Sequence, residues 1–144
     1  MPGPSDSSGD ILPRVGVLAV VWRHRRVLLV RRRNPPQAGH WGFPGGSLRP
    51  GEPLRAAAQR ELREETAVEG KPGAPFTAVD VIDRDRAGRI RYQFALIAVP
   101  LAYVGGTPKA DDDAEAADWF DPDDLPQPLC TDVADLVAAS QPRD

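Results

Sequence analysis

The chain lacks the raw material of several common protein types. Its single cysteine, Cys130, excludes an internal disulfide framework and fits a reducing compartment. That cysteine follows a proline-containing loop with no acid–base partner nearby in the sequence, so it reads as buried filler rather than a nucleophile. The two histidines, His24 and His40, stand far apart and show no zinc-ligand spacing. The longest apolar run, Val15 to Trp22, is too short to cross a bilayer. Positive charge is not in excess either. A net charge of -3 and a pI near 5.4 give no overall field favouring nucleic acid or an anionic membrane. Met1 to Asp10 consists mainly of Pro, Gly, Ser and Asp without an apolar stretch. Residues 1–12 are therefore expected to be a disordered start and not a signal peptide, with a cytoplasmic location as the default. Residues 13–141 read as one domain, since 144 residues suffice for a single real core.

Val15 to Trp22 is nearly continuous in apolar residues, as in a strand buried on both faces. Arg23-His24-Arg25 makes a turn, and Arg26 to Arg32 returns as a second strand. Trp41 and Phe43 alternate as on a short strand, where core packing is the plain reading and stacking of Trp41 on a base the sharper one. Lys71 to Pro75 reads as a loop and Phe76 to Asp83 as a strand. Arg84 to Gly88 then forms a hairpin tip, and Arg89 to Val99 a returning strand with Ile90, Tyr92, Phe94 and Leu96 on one side. Tyr92 and Phe94 suit either a pleated core face or contact with a base. Gly105-Gly106 breaks the next segment, and Pro122 to Leu125 reads as a short turn of helix. Thr131 is placed to cap a closing helix from Asp132 to about Ser140, with Val133, Leu136 and Val137 inward. No internal repeat is present.

The centre of the chain is Gly45-Gly46-Ser47-Leu48-Arg49-Pro50-Gly51-Glu52 and the helix after it, Pro53 to about Val68. On a wheel of about 100° per residue, Leu54, Ala57, Ala58, Glu61 and Glu65 share one side. Glu64 lies just beside them, and Arg55, Gln59 and Arg63 lie opposite. Carboxylates thus occupy the stripe that should face the body of the protein, the reverse of an ordinary amphipathic helix. Acids at i, i+3 and i+4 repel one another and raise each other's pKa values. A hard divalent cation removes the conflict, since Mg²⁺ binds oxygen ligands at about 2.0–2.1 Å. The plain alternative is a solvated Glu/Arg face in which Arg60 and Arg63 pair the acids. The inward stripe and the glycine-rich loop favour the metal reading.

Gly46, five residues, Glu52, seven residues, then Arg60-Glu61-Leu62-Arg63-Glu64-Glu65-Thr66-Ala67-Val68 resembles the Nudix box. Every fixed position matches except the last glycine, which is Ala67 here. Glycine favours the left-handed end of a helix, so the departure bears on where the helix stops, and Gly70 is expected to take that role. The resemblance implies an α/β fold, the Nudix α/β/α sandwich with a central mixed β-sheet, the box helix on one face and the C-terminal helix on the other. It also implies Mg²⁺ (or Mn²⁺), with Glu61, Glu64 and Glu65 as metal ligands and Glu52 and the Gly45 carbonyl assisting. Arg60 is then expected to orient the glutamates through paired hydrogen bonds. An acidic residue from the Lys109 to Glu115 loop often completes such sites. By its distance before Trp119-Phe120, Asp113 matches best and Glu115 next; taken alone, the loop is simply solvated. Glu61, Glu64 and Asp113 stay open as the general base. Arg31 to Arg33 at a strand end serve either solubility or a substrate phosphate, with Arg32 first by resemblance. Arg32, Trp41, Tyr92 and Glu115 are therefore the expected substrate contacts.

The activity so implied is metal-dependent pyrophosphohydrolysis of a nucleoside diphosphate linked to another moiety, leaning to ADP-ribose or a related compound. The downstream marks of family subgroups are absent. A house-cleaning hydrolase of NTPs or dNTPs, oxidised nucleotides included, is the alternative within the class. A catalytically silent nucleotide-sensing module is the alternative outside it, against which stand all four box glutamates. The expected partner is a small-molecule nucleotide, with no nucleic acid and no membrane, and the resemblance allows a homodimer.

Overall fold

The computed structural model describes residues 11–142. Residues 1–10, to which most of the expected disordered start belongs, lie outside them. Strand β1 (Arg14–Arg23) is central. His24 and Arg25 turn the chain at φ 51° and 64° into β2 (Arg26–Arg32), pairing Trp22 with Val27. Positive φ at both positions suits the twist of a two-residue hairpin. β3 (Trp41–Gly42) pairs β2, and β4 (Gly45–Ser47) pairs the first half of β1. Helix α1 (Leu54–Thr66) follows, then β5 (Glu69–Pro72), β6 (Thr77–Arg84) and β7 (Ile90–Gly105). β8 (Ala114–Phe120) pairs the free edge of β2, and α2 (Val133–Ser140) closes the fold.

β1 and β7 run parallel and every other strand pair is antiparallel, so the sheet is mixed. The period of two in β1 explains its continuous apolar run. Val17, Ala19 and Val21 pack with Ala57, Ala58 and Leu62 of α1. Val20 packs with Val133, Leu136 and Val137 of α2, with Leu18 and Trp22 against the same cluster. Both faces are covered, and the α/β/α sandwich stands. Among the described residues no helix is long and apolar enough to cross a membrane.

Five local expectations change. Residues 71 and 72 are not loop but part of β5, paired with Ala102 and Leu101. A Gly-Lys-Pro stretch carries no strand signal of its own; the edge of β7 imposes the conformation. β7 itself continues past Val99 to Gly105, and the Pro100 carbonyl accepts a bond from Gly73 N at 2.8 Å. Helix α1 ends at Thr66, with Ala67 itself left-handed (φ 62°, ψ 10°) and its N–H on Arg63 O. Gly70 is thus not the cap. Thr66 stabilises this end: its hydroxyl donates to Leu62 O at 2.6 Å and accepts from Val68 N at 3.1 Å. At α2 the residue before the helix is Asp132 (φ 71°), without a side-chain cap, because the Thr131 hydroxyl accepts from Gln37 Nε2. Pro122 to Leu125 is a turn around Asp121, not a turn of helix.

A candidate carboxylate metal centre

The site is built where β4 meets α1. Gly45 lies opposite Leu18 and Gly46 opposite Val17 on β1. A Cβ on Gly45 would stand 2.2 Å from Val17 O, and one on Gly46 2.6 Å from a carboxylate oxygen of Glu61. Only residues without a side chain let this strand approach both sheet and helix so closely. The Gly45 N–H donates to Glu65 Oε2 at 2.9 Å, anchoring that carboxylate under the strand.

Arg60 is the hub. Its Nε and Nη2 reach the two oxygens of Glu52 at 2.7 and 2.8 Å. Its Nη1 reaches Glu61 at 2.7 Å and Glu64 at 3.3 Å, and Nη2 also donates to Ser47 O at 3.2 Å. Arg60 thus hydrogen-bonds three of the expected site glutamates. Both oxygens of Glu52 are turned to Arg60, and one of them also accepts from Arg49 N. The paired hydrogen bonds from Arg60 hold the Glu52 carboxyl down to about 2.

The glutamates of the stripe face the opposite pressure. Glu61 and Glu65 are buried, 8% and 5% exposed, as the wheel implied. Burial pushes Glu65 up to about 8, against the Gly45 hydrogen bond and with the charges of Glu61 and Asp113 adding to the rise. Burial also raises Glu61, with Arg60 opposing. Glu64 is the accessible member, its side chain 37% exposed, with Arg49 at 3.7 Å.

The acidic loop docks on the end of α1, where carbonyls lack helical partners. Lys109 N donates to Thr66 O at 2.8 Å and Asp111 N to Glu65 O at 3.1 Å. The charge of Asp113 is felt at Glu65 and adds to its rise. Asp112 was not foreseen. It turns at φ 55°, and its carboxyl is raised by burial and by the charges of Asp113 and Glu64. Counting back from Trp119 selects Asp113, and three aspartates in a row carry no signal of which bends inward.

The other expected contacts fall out separately. Arg32 donates to Pro36 O at 2.8 Å, and its charge is felt at Glu65 and at buried Tyr92. Tyr92 sits opposite Asp83 in the β6–β7 ladder. Trp41 packs edge-on against Phe120 at 5.0 Å, so its ring belongs to the core beside α2. Glu115 is bound to Arg31 at 2.8 Å and does not join the carboxylates. Cys130 is half-buried beside Gly42, in keeping with filler.

The donor set fits Mg²⁺ or Mn²⁺. It offers hard carboxylate oxygens, and burial raises two of them, Glu65 with no cation bonded to it and Glu61 in spite of Arg60. Among the described residues no three acids stand close enough to close a metal shell, and Glu61 and Glu64 are hydrogen-bonded to Arg60.

Fold, glycine strand and glutamate helix together define one class. A family model for the NUDIX domain matches residues 12–139, and the chain belongs to the Nudix family. It is 34% identical over 115 residues to an ADP-ribose pyrophosphatase of Methanocaldococcus jannaschii, covering 80% of this chain and 66% of that one. It is 34% identical over 106 residues to a putative 8-oxo-dGTP diphosphatase 2 of Mycobacterium tuberculosis H37Rv, covering 71% and 70%. Among solved structures, the NUDIX domain of Shewanella oneidensis NrtR complexed with ADP ribose superposes with a TM-score of 0.73. Its identity is 25%, over 93% of this chain and 90% of that one. The chain thus spans about two thirds of the length of the curated relatives named here.

Proposed function

We propose that the chain is a metal-dependent pyrophosphohydrolase that cleaves a nucleoside diphosphate linked to another moiety, with ADP-ribose or a related compound as the leading substrate. The observation that carries this reading is Glu65, a buried carboxylate among other acids whose ionisation calls for a cation beside it. Glu61, Glu64, Glu65 and the Gly45 carbonyl would hold the ion. The bound Mg²⁺ or Mn²⁺ supplies charge neutralisation on the diphosphate and a water of lowered pKa.

The chain's own groups do the rest. Gly45 N–H keeps Glu65 in place, and Arg60 keeps Glu61 and Glu64 on the same side. Asp113, on a loop docked to α1, completes the acidic surround. Glu64, the most exposed of the three stripe glutamates, is best placed to take a proton from the attacking water. Arg32, at the strand end, would meet a phosphate; its charge is felt at Glu65 and at Tyr92. Phosphoryl transfer of this kind rests mainly on positioning and electrostatics. The reading carries with it a nucleotide partner, a cytoplasmic location and a homodimer as the assembly to test.

The relatives named for ADP-ribose support the leading substrate. The relative named for 8-oxo-dGTP supports the alternative, a house-cleaning nucleotide hydrolase. The test is a hydrolysis screen of ADP-ribose and related diphosphates against nucleoside triphosphates with Mg²⁺ and Mn²⁺, with products identified by mass. AMP and ribose phosphate from ADP-ribose support the first reading; pyrophosphate and a monophosphate from a triphosphate move the chain to the second. Silence across the panel, with ADP-ribose still bound, makes it a sensing module. Glu64→Gln is expected to abolish turnover with the fold intact, and more than a few per cent of wild-type activity would count against the assignment.

A further inference from the structure

The loop of residues 33–40 between β2 and β3 closes on itself and reaches two neighbours. Gly39 N donates to Arg32 O at 2.7 Å, Arg32 N to His40 O at 2.9 Å, and Arg32 Nε to Pro36 O at 2.8 Å. On one side Gln37 exchanges two bonds with Thr131, its Nε2 donating to the hydroxyl at 3.1 Å and its Oε1 accepting from the backbone at 3.3 Å. On the other, Arg33 N donates to Asp113 O and Asn34 Nδ2 to Asp113 Oδ1, both at 3.0 Å.

We propose that Asn34 is a positioning residue, a neutral tether that holds the acidic loop against the glutamates of α1 so that Asp113 can serve a bound divalent cation. The proposal rests on reading those carboxylates as a metal site. The loop that carries Asp111, Asp112 and Asp113 faces Glu61, Glu64 and Glu65, and like charges at that range push it away. Backbone bonds from Lys109 and Asp111 hold its first half to α1. Asn34 reaches the side chain that matters in the second half. An arginine or lysine would hold Asp113 as firmly but would neutralise the charge the cation needs. An amide donates one hydrogen bond and leaves the carboxylate anionic, with its other oxygen still open to accept.

The test is Mn²⁺ binding to the full chain without nucleotide, read as loss of the free Mn²⁺ resonance. Asn34→Ala is expected to weaken binding about fivefold, the effect of one hydrogen bond of ordinary net strength. Asp113→Ala should weaken it at least as much, and the double variant no more than Asp113→Ala alone. Gln37→Ala cuts the other tether of the same loop and should leave Mn²⁺ binding unchanged while lowering the thermal midpoint. Wild-type affinity in Asn34→Ala overturns the proposal, as does a double variant weaker than Asp113→Ala by the full factor. Equal weakening in Gln37→Ala also overturns it, since general loosening of the loop would then explain the effect. Failure of the unaltered protein to bind Mn²⁺ overturns the metal reading and this inference with it. Normal binding there, without change in Asn34→Ala, overturns this inference alone.

Discussion

Arg60→Ala removes the one guanidinium that Glu52, Glu61 and Glu64 share, and the cost can be worked from Glu52 alone. Its carboxyl moves from an ordinary 4.5 to about 2 on folding, chiefly through the hydrogen bonds of Arg60. That fall is worth about 3 kcal/mol in full at 1.36 kcal/mol per tenfold. The Glu52 and Arg60 side chains are 15% and 13% exposed but lie at the rim of the domain within reach of water, so screening brings the net cost to about 1–2 kcal/mol. A carboxyl depressed on folding stabilises above its unfolded pKa and loses that contribution as pH falls toward the folded value. About two fifths of it should therefore be gone at pH 3.5. Urea titration in EDTA would place the midpoint of Arg60→Ala about 0.5–1 M below wild type at pH 7. The gap should narrow visibly at pH 3.5. A difference under about 0.5 kcal/mol at pH 7, or one that does not change with pH, would refute the view of Arg60 as hub.

Glu65 titrates in the opposite sense. Its folded pKa is raised to about 8, so its own contribution to the metal-free protein is fully present below about pH 4.5 and is lost as pH rises through 8. Glu65→Gln should be the more stable protein in EDTA, by a margin that grows to about 1–3 kcal/mol at pH 7. Saturating Mg²⁺ should remove or reverse that advantage; a margin flat from pH 5 to 8 would sink the assignment. Ala67→Gly restores glycine at a left-handed position and should raise the thermal midpoint by about 2–4 °C, for a gain of about 1 kcal/mol. Turnover should not move, and a lower midpoint would show that Ala67 contributes through contacts the backbone angle does not reveal.

The architecture was legible wherever burial writes a period into the sequence. Val17, Ala19 and Val21 against Leu18, Val20 and Trp22 announce a strand covered on both faces, and both helices sit where that requires. Glu61 and Glu65 on the apolar stripe of α1 announced buried acids, and buried they are. What escaped is conformation imposed from outside. Gly70-Lys71-Pro72 becomes strand because β7 offers an unpaired edge. Ala67 accepts a left-handed backbone because Thr66 ties the helix end, and because Gly106 lets β7 come close: a Cβ there would stand 2.5 Å from Ala67 O.

The site divides along the same line. Spacing along one helix ranks Glu61, Glu64 and Glu65, since three residues of one helix need no tertiary knowledge to be placed together. It could not rank the loop acids. Asp112 and Asp113 differ by one position, and which carboxyl meets which glutamate depends on a backbone turn at φ 55° and on a bond to Asn34 across 79 residues of chain. Glu115 shows the cost of counting alone. One step beyond Ala114 the chain has entered β8, where its carboxylate meets Arg31 of the neighbouring strand. Loop acids of this kind are placed by what their loop is fastened to. In this chain the Asp113 side chain is fastened by the Asn34 amide, a neutral donor that leaves the carboxylate its charge.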